Sequence, residues 1–172
     1  MKRGWLPAIG IAMVVAGSVS RLPAIQKDAA HAATAEVEDL VRQALDDRFK
    51  AGDIPDLDLL EERAHVLVLK EMPRPRLQLS ARALPKIAGT EFELIGANEA
   101  SARAERSRKD VVFLTVNDPR IEGAAAFVWL GVDLAMPSKA GVVKMCCCTG
   151  RAEFRKADGR WVFVKWGGMT CS

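Results

Sequence analysis

The sequence has no tyrosine and only two histidines, His31 and His65. General acid–base chemistry is therefore left to one histidine or to carboxylates, because His31 falls in a segment read below as leader or arm. No glycine-rich phosphate-binding pattern occurs, which argues against a nucleotide site of that kind. Ser80, Ser101, Ser107 and Ser138 stand in no nucleophile-elbow pattern. No C-x-x-C pair is present, so both the dithiol redox motif and the paired-cysteine zinc pattern are missing. There is no internal repeat and no long low-complexity tract.

What is present begins with a leader. Lys2 and Arg3 precede an apolar run from Trp5 to Val19, and small residues follow at Ser18-Val19-Ser20 and again at Ala30-His31-Ala32. This is the layout of a secretory signal peptide, cut after Ser20 or after Ala32. The apolar run is about fifteen residues, short of the roughly twenty that a membrane span needs, so no stable span is expected after cleavage. Without a twin arginine, the general secretion route is the simpler one. The expected organisation is a signal peptide over 1–20, a loose arm over 21–33 and a single domain over 34–172. The expected location is periplasmic or secreted.

Export changes how charge and cysteine are read. The precursor carries +3, and loss of Lys2 and Arg3 leaves +1. A near-neutral mature chain gives no reason to expect nucleic acid as a partner. The basic cluster Arg103, Arg106, Arg108 and Lys109 is interspersed with Glu99 and Glu105, as on a solvated helix face. In an oxidising compartment, four cysteines are first of all candidates for disulfides.

The mature chain reads as α+β, an antiparallel four-stranded C-terminal meander packed on N-terminal helices. Val37, Leu40, Val41, Ala44, Leu45 and Phe49 recur at helical spacing, with Thr34 as a start and Gly52 as a stop. A short helix is expected over 57–62. HVLVLKE (65–71) and TEFELIG (90–96) read as strands, and NEASARAERSRKD (98–110) as a helix capped by Asn98. Four strands follow: 111–116 continued to a turn at Glu122-Gly123, 124–134, one beginning within VVKMCCC (142–148), and a last one after the turn Asp158-Gly159.

This order of elements resembles the ketosteroid-isomerase-like cone, also called the nuclear-transport-factor-like fold. The resemblance implies a curved sheet around a helical layer with a pocket at its mouth. It departs from the family in having one convincing helix, not two, before the first strand. The closing pattern CCCTG, DGRW, KW and a terminal cysteine also resembles uncharacterised exported bacterial proteins.

Counting outward from the Asp158-Gly159 turn pairs Lys156 with Trp161 and Phe154 with Phe163. Continued without interruption, the count sets Cys146 opposite Cys171; an extra residue on the last strand at Gly167-Gly168 sets Cys147 there instead, and one on the first strand at Gly150 sets Met145 there and loses the pairing. A bridge from Cys171 to the triplet Cys146, Cys147, Cys148 is the expected use of these residues. It would close a loop of about 25 residues, for which chain entropy gives on the order of 3 kcal/mol. The two leftover cysteines could form a second bridge, stay buried as thiols or pair with another chain. The alternative is a soft-metal site for Cu(I), made by Cys146, Cys148, Met169 and Cys171 on one strand face.

For catalysis the candidates are His65, at the start of an apolar strand, and Asp133, ending AFVWLGVDLAM, where a cone-fold enzyme can place a general base. Trp129, Trp161 and Trp166 are expected in the core or in a pocket wall. The function expected first is a disulfide-stabilised binding domain for a small apolar ligand or a protein partner, without a cofactor. A cone-fold enzyme and a copper-binding protein are the alternatives.

Overall fold

A computed structural model describes residues 22–72, 77–138 and 147–171. The leader expected over 1–20 and Cys146 of the cysteine run lie outside the described residues.

Helix α1 spans Leu22–Ala51, so Thr34 lies within it instead of starting it, and residues 22–33 of the expected arm are helical backbone. The expected apolar face is the buried one: Leu40, Val41, Ala44 and Leu45 are fully enclosed and Phe49 almost so. Each such leucine contributes about 1.5–3 kcal/mol by leaving water. Asp39–Arg42 and Asp46–Lys50 pairs line the outer side. Gly52 ends the helix in the left-handed region (φ 72°) and donates back to the Arg48 carbonyl. A single 3-10 turn at Leu57–Leu59 is all that forms of the helix expected over 57–62.

The strands are β1 (His65–Leu69), β2 (Glu71–Met72), β3 (Leu77–Gln78), β4 (Glu91–Ile95), β5 (Val111–Glu122), β6 (Ala125–Ala135), β7 (Cys148–Ala157) and β8 (Arg160–Cys171). Helix α2 (Ala97–Ser107) stands between β4 and β5. Six strands form one sheet in the order β4-β1-β5-β6-β7-β8, while β2 and β3 pair separately. The fold is α+β, but its main sheet is mixed and six-stranded, not the four-stranded meander read from the sequence. β5 to β8 are consecutive antiparallel neighbours; β1 lies parallel to both β4 and β5. The cause is α2. A strand–helix–strand connection returns the chain in the same direction, and β1 fills the gap between the two strands it joins.

The sheet is covered unequally on its two faces. Ala126, Val128, Leu130 and Val132 alternate along β6 onto the face that α1 covers, and with Val66, Val68, Leu114, Val116 and Phe154 they make the main core. On the other face, a smaller cluster of Ile95, Ala100 and Phe113 sits beneath α2, joined by Leu67 and Leu69. Gly96, not Asn98, occupies the start of α2, and the Glu71 carboxylate accepts the exposed Ala97 N–H at 3.1 Å.

The C-terminal hairpin is fastened to α1. Asp158 and Gly159 both take left-handed backbone (φ 50° and 77°), as the tight hairpin turn requires. The Gln43 side chain accepts the Trp161 N–H at 2.8 Å, and Lys156 reaches Glu36 at 2.6 Å. The Arg48 guanidinium lies 3.6 Å over the Phe163 ring and donates to Asp53, which also accepts the Trp166 indole N–H at 3.2 Å.

Candidate functional site

The cysteines are set by strand register. Lys156 pairs with Trp161 and Phe154 with Phe163, as counting from the turn requires. β8 then gains one residue at Val164, between Phe163 and Lys165, and a second in the Gly167-Gly168 segment, between Trp166 and Met169. Two extra residues move the partner of Cys171 two places along β7, to Cys148, and these two cysteines form a disulfide. Neither Cys146 nor Cys147 is therefore the partner. Only one bulge was expected; Gly167-Gly168 signals the second, and nothing about Val164 signals the first. Cys147 is itself disulfide-bonded and takes φ 99°. The soft-metal set loses its basis in this arrangement, because the sulfurs of Cys148 and Cys171 are bonded to each other and offer no thiolate. Met169 is paired with Gly150 and exposed. Among the described residues no cluster of three His, Cys, Asp or Glu side chains suits a metal, and no helix is long and apolar enough to cross a membrane.

His65 lies on the margin of a groove of about 1130 Å³. Leu67, Val111, Val112 and Leu134 supply its apolar lining from β1, β5 and β6, and Leu59 and Leu60 extend it past the 3-10 turn. Glu61 and Glu62 stand in the chain segment after that turn, whereas Arg103, Arg106 and Lys109 come from α2 and the residue pair after it. Asp110 follows Lys109 in the lining, so the groove combines an apolar lining with acids and bases at its border.

The histidine has an ordered partner. Parallel pairing sets Leu67 beside Glu93, two residues beyond His65 on β1, and His65 Nε2 reaches Glu93 Oε2 at 3.1 Å. The other Glu93 oxygen accepts from Arg103 Nη2 at 2.6 Å, and Arg103 also holds Glu99 at 2.9 Å, one helical turn away. The Arg103 hydrogen bond is the largest influence on Glu93 and holds its carboxyl below the usual range. The same contacts, Glu93 first, raise the Arg103 guanidinium further. Arg103 is therefore not merely part of a solvated face. Sequence reasoning missed Glu93 because β1–β4 pairing is long-range; the uninterrupted apolar run of HVLVL, typical of a strand buried on both faces, was the available signal.

Asp133 is not brought to this groove. It is exposed near the end of β6, its Oδ1 accepts the Leu134 N–H at 2.8 Å, and it borders a separate polar cleft of about 120 Å³. The two catalytic candidates therefore belong to different sites. Of the described tryptophans, Trp161 is buried and Trp129 and Trp166 are half-buried; none of these three lines the groove.

An apolar groove bordered by acids and bases can hold an apolar body and pair with its polar ends. With Nε2 held by Glu93, the Nδ1 nitrogen of His65 is the one left for a reacting group. Compared with protein-family models, curated proteins and solved structures, the chain gives no significant match.

Proposed function

We propose that this is an exported binding domain, held together by a disulfide, whose groove takes a small ligand with an apolar body. The observation that carries the reading is the lining of Leu67, Val111, Val112 and Leu134 within a groove of about 1130 Å³. A concave site with an apolar lining is the ordinary form of a small-molecule site, and the charged residues at its border supply the polar contacts. Export is supported by the charged start and apolar run of the leader. The mature protein is expected to begin at Arg21 or Ala33, which N-terminal sequencing of material recovered outside the cytosol reads directly. The ketosteroid-isomerase-like likeness belongs to the same proposal. It is supported by one long helix packed across β5, β6 and β8.

Titration with anilinonaphthalene sulfonate tests the groove. The folded protein is expected to bind it saturably at one site, and Leu134→Glu, which places a charge of the probe's own sign in the lining, is expected to weaken binding at least tenfold. Non-saturable binding, or equal binding by a Leu134→Glu protein that still unfolds cooperatively, would remove the groove from the account.

A second reading is favoured by the His65–Glu93–Arg103 chain. In it, His65 is a general base oriented by Glu93, acting on a ligand in the groove. Turnover of any ester or enolisable ketone offered to the protein would have to be lost in His65→Gln and slowed in Glu93→Gln. Activity that survives His65→Gln would sink it.

A further inference from the structure

We propose that the polar cleft bordered by Thr115 and Asp133 is a binding site for a small hard cation of the calcium class. Strand alternation puts Trp129, Gly131 and Asp133 of β6 on the face away from α1. Gly131 is flanked by Thr115 on β5 and by Thr149 on β7, and Thr149 is in turn paired with Thr170 on β8. The cleft is bordered by Thr115, Asn117, Asp133, Cys147, Thr149 and Thr170, with Val132 as its apolar member, and encloses about 120 Å³. That is room for an ion with several waters, one water needing roughly 10–15 Å³.

Two observations point to a ligand. Thr115 is only 5 % exposed, yet its Oγ1 is buried and meets no hydrogen-bond partner among the described residues. A buried hydroxyl in that position calls for something in the cleft to satisfy it. The donor set is the second. Three hydroxyls, one amide and one carboxylate are oxygen-rich ligands, and Asp133 is the only charged group among the described residues of the lining. The Cys147 sulfur is disulfide-bonded and supplies no thiolate. Oxygen donors of this kind suit a hard cation that keeps part of its hydration shell, and a single carboxylate suits the weak, millimolar class of extracellular calcium site. The groove shares no lining residue with this cleft, so the two proposals stand apart.

The test is terbium luminescence excited through tryptophan, since Trp129 lies directly across from Asn117. Saturable luminescence displaced by calcium is expected from the full chain. Asp133→Asn and Thr115→Val are each expected to weaken binding at least tenfold while keeping the far-ultraviolet circular dichroism of the parent. Absence of a saturable signal overturns the proposal. So does a signal undiminished in both variants. A loss confined to Asp133→Asn puts the ion on the surface carboxylate alone and also overturns it. A Thr115→Val protein that gains thermal stability, in a chain indifferent to calcium, means the cleft holds only water.

Discussion

Gly131→Ala is the smallest substitution that tests how closely β6 and β7 are held. An added Cβ would lie 2.6 Å from the Cys148 carbonyl oxygen, 2.7 Å from Thr149 Cγ2 and 3.1 Å from Thr149 Cα. Two of these three atoms belong to the backbone of the neighbouring strand, so no rotamer change relieves the clash. Nor is β7 free to withdraw. Cys148 is bonded to Cys171, and its N–H is held by the Asp56 carboxylate. Gly131 does not adopt the left-handed backbone, so alanine brings no conformational strain and stiffens the unfolded chain, a gain of about 0.4–1 kcal/mol. Overpacking costs about 1–3 kcal/mol. The clash wins, with a net loss of about 1–2 kcal/mol, equivalent to a Tm lower by about 3–8 °C in a domain of this size. Thermal and urea unfolding of the oxidised protein measure it. Gly168→Ala is the control, because a Cβ there meets nothing within 4 Å. If Gly131→Ala proves as stable as Gly168→Ala, the close approach of these strands, and the register that creates it, are wrong.

Other perturbations bear on different contacts. Removing the Cys148–Cys171 bond in the double alanine variant frees a 23-residue separation, and chain entropy puts the loss at about 3 kcal/mol, readable as a lower urea midpoint. Phe154→Ala empties a position only 2 % exposed, whose ring meets Phe163 edge-on at 5.7 Å; a loss of about 3–5 kcal/mol is expected by the same assay. Glu93 has a folded-state carboxyl lowered chiefly by Arg103, so its stabilising contribution is present above its unfolded value, about 4.3, and is lost as pH falls through the folded value. The stability gap between the parent and Glu93→Gln is therefore expected to narrow from about pH 7 to about pH 3, and a gap that widens in acid would contradict the Arg103 contact.

The parts of the fold that were legible in the sequence are those decided by local chemistry. Asp158-Gly159 announces its turn because both residues tolerate the left-handed backbone that the turn needs. The apolar stripe from Leu40 to Phe49 announces α1 because 3.6-residue spacing collects it on one face. From the turn, counting carries the register correctly as far as Phe154–Phe163 and then fails at Val164, where an ordinary β-branched residue is the extra one. The candidate site is less legible because it is assembled by parallel pairing. His65, Glu93 and Arg103 come from β1, β4 and α2, and no local pattern states that β1 inserts between β4 and β5. The place of Asp133 at the end of an apolar strand does not say which pocket it meets; period-two alternation puts it on the face away from α1, in a cleft separate from the His65 groove.

The central claim is that β8 is sealed to β7 through Cys148 and Cys171, in a register shifted by two bulges. Tandem mass spectrometry of an unreduced tryptic digest of protein prepared without reductant tests it most directly. The peptide from Met145 to Arg151 is expected to be joined to that from Trp166 to Ser172, with fragmentation assigning the bond to Cys148. A bond from Cys171 to Cys146 or Cys147, or a free thiol at Cys171, would contradict the account.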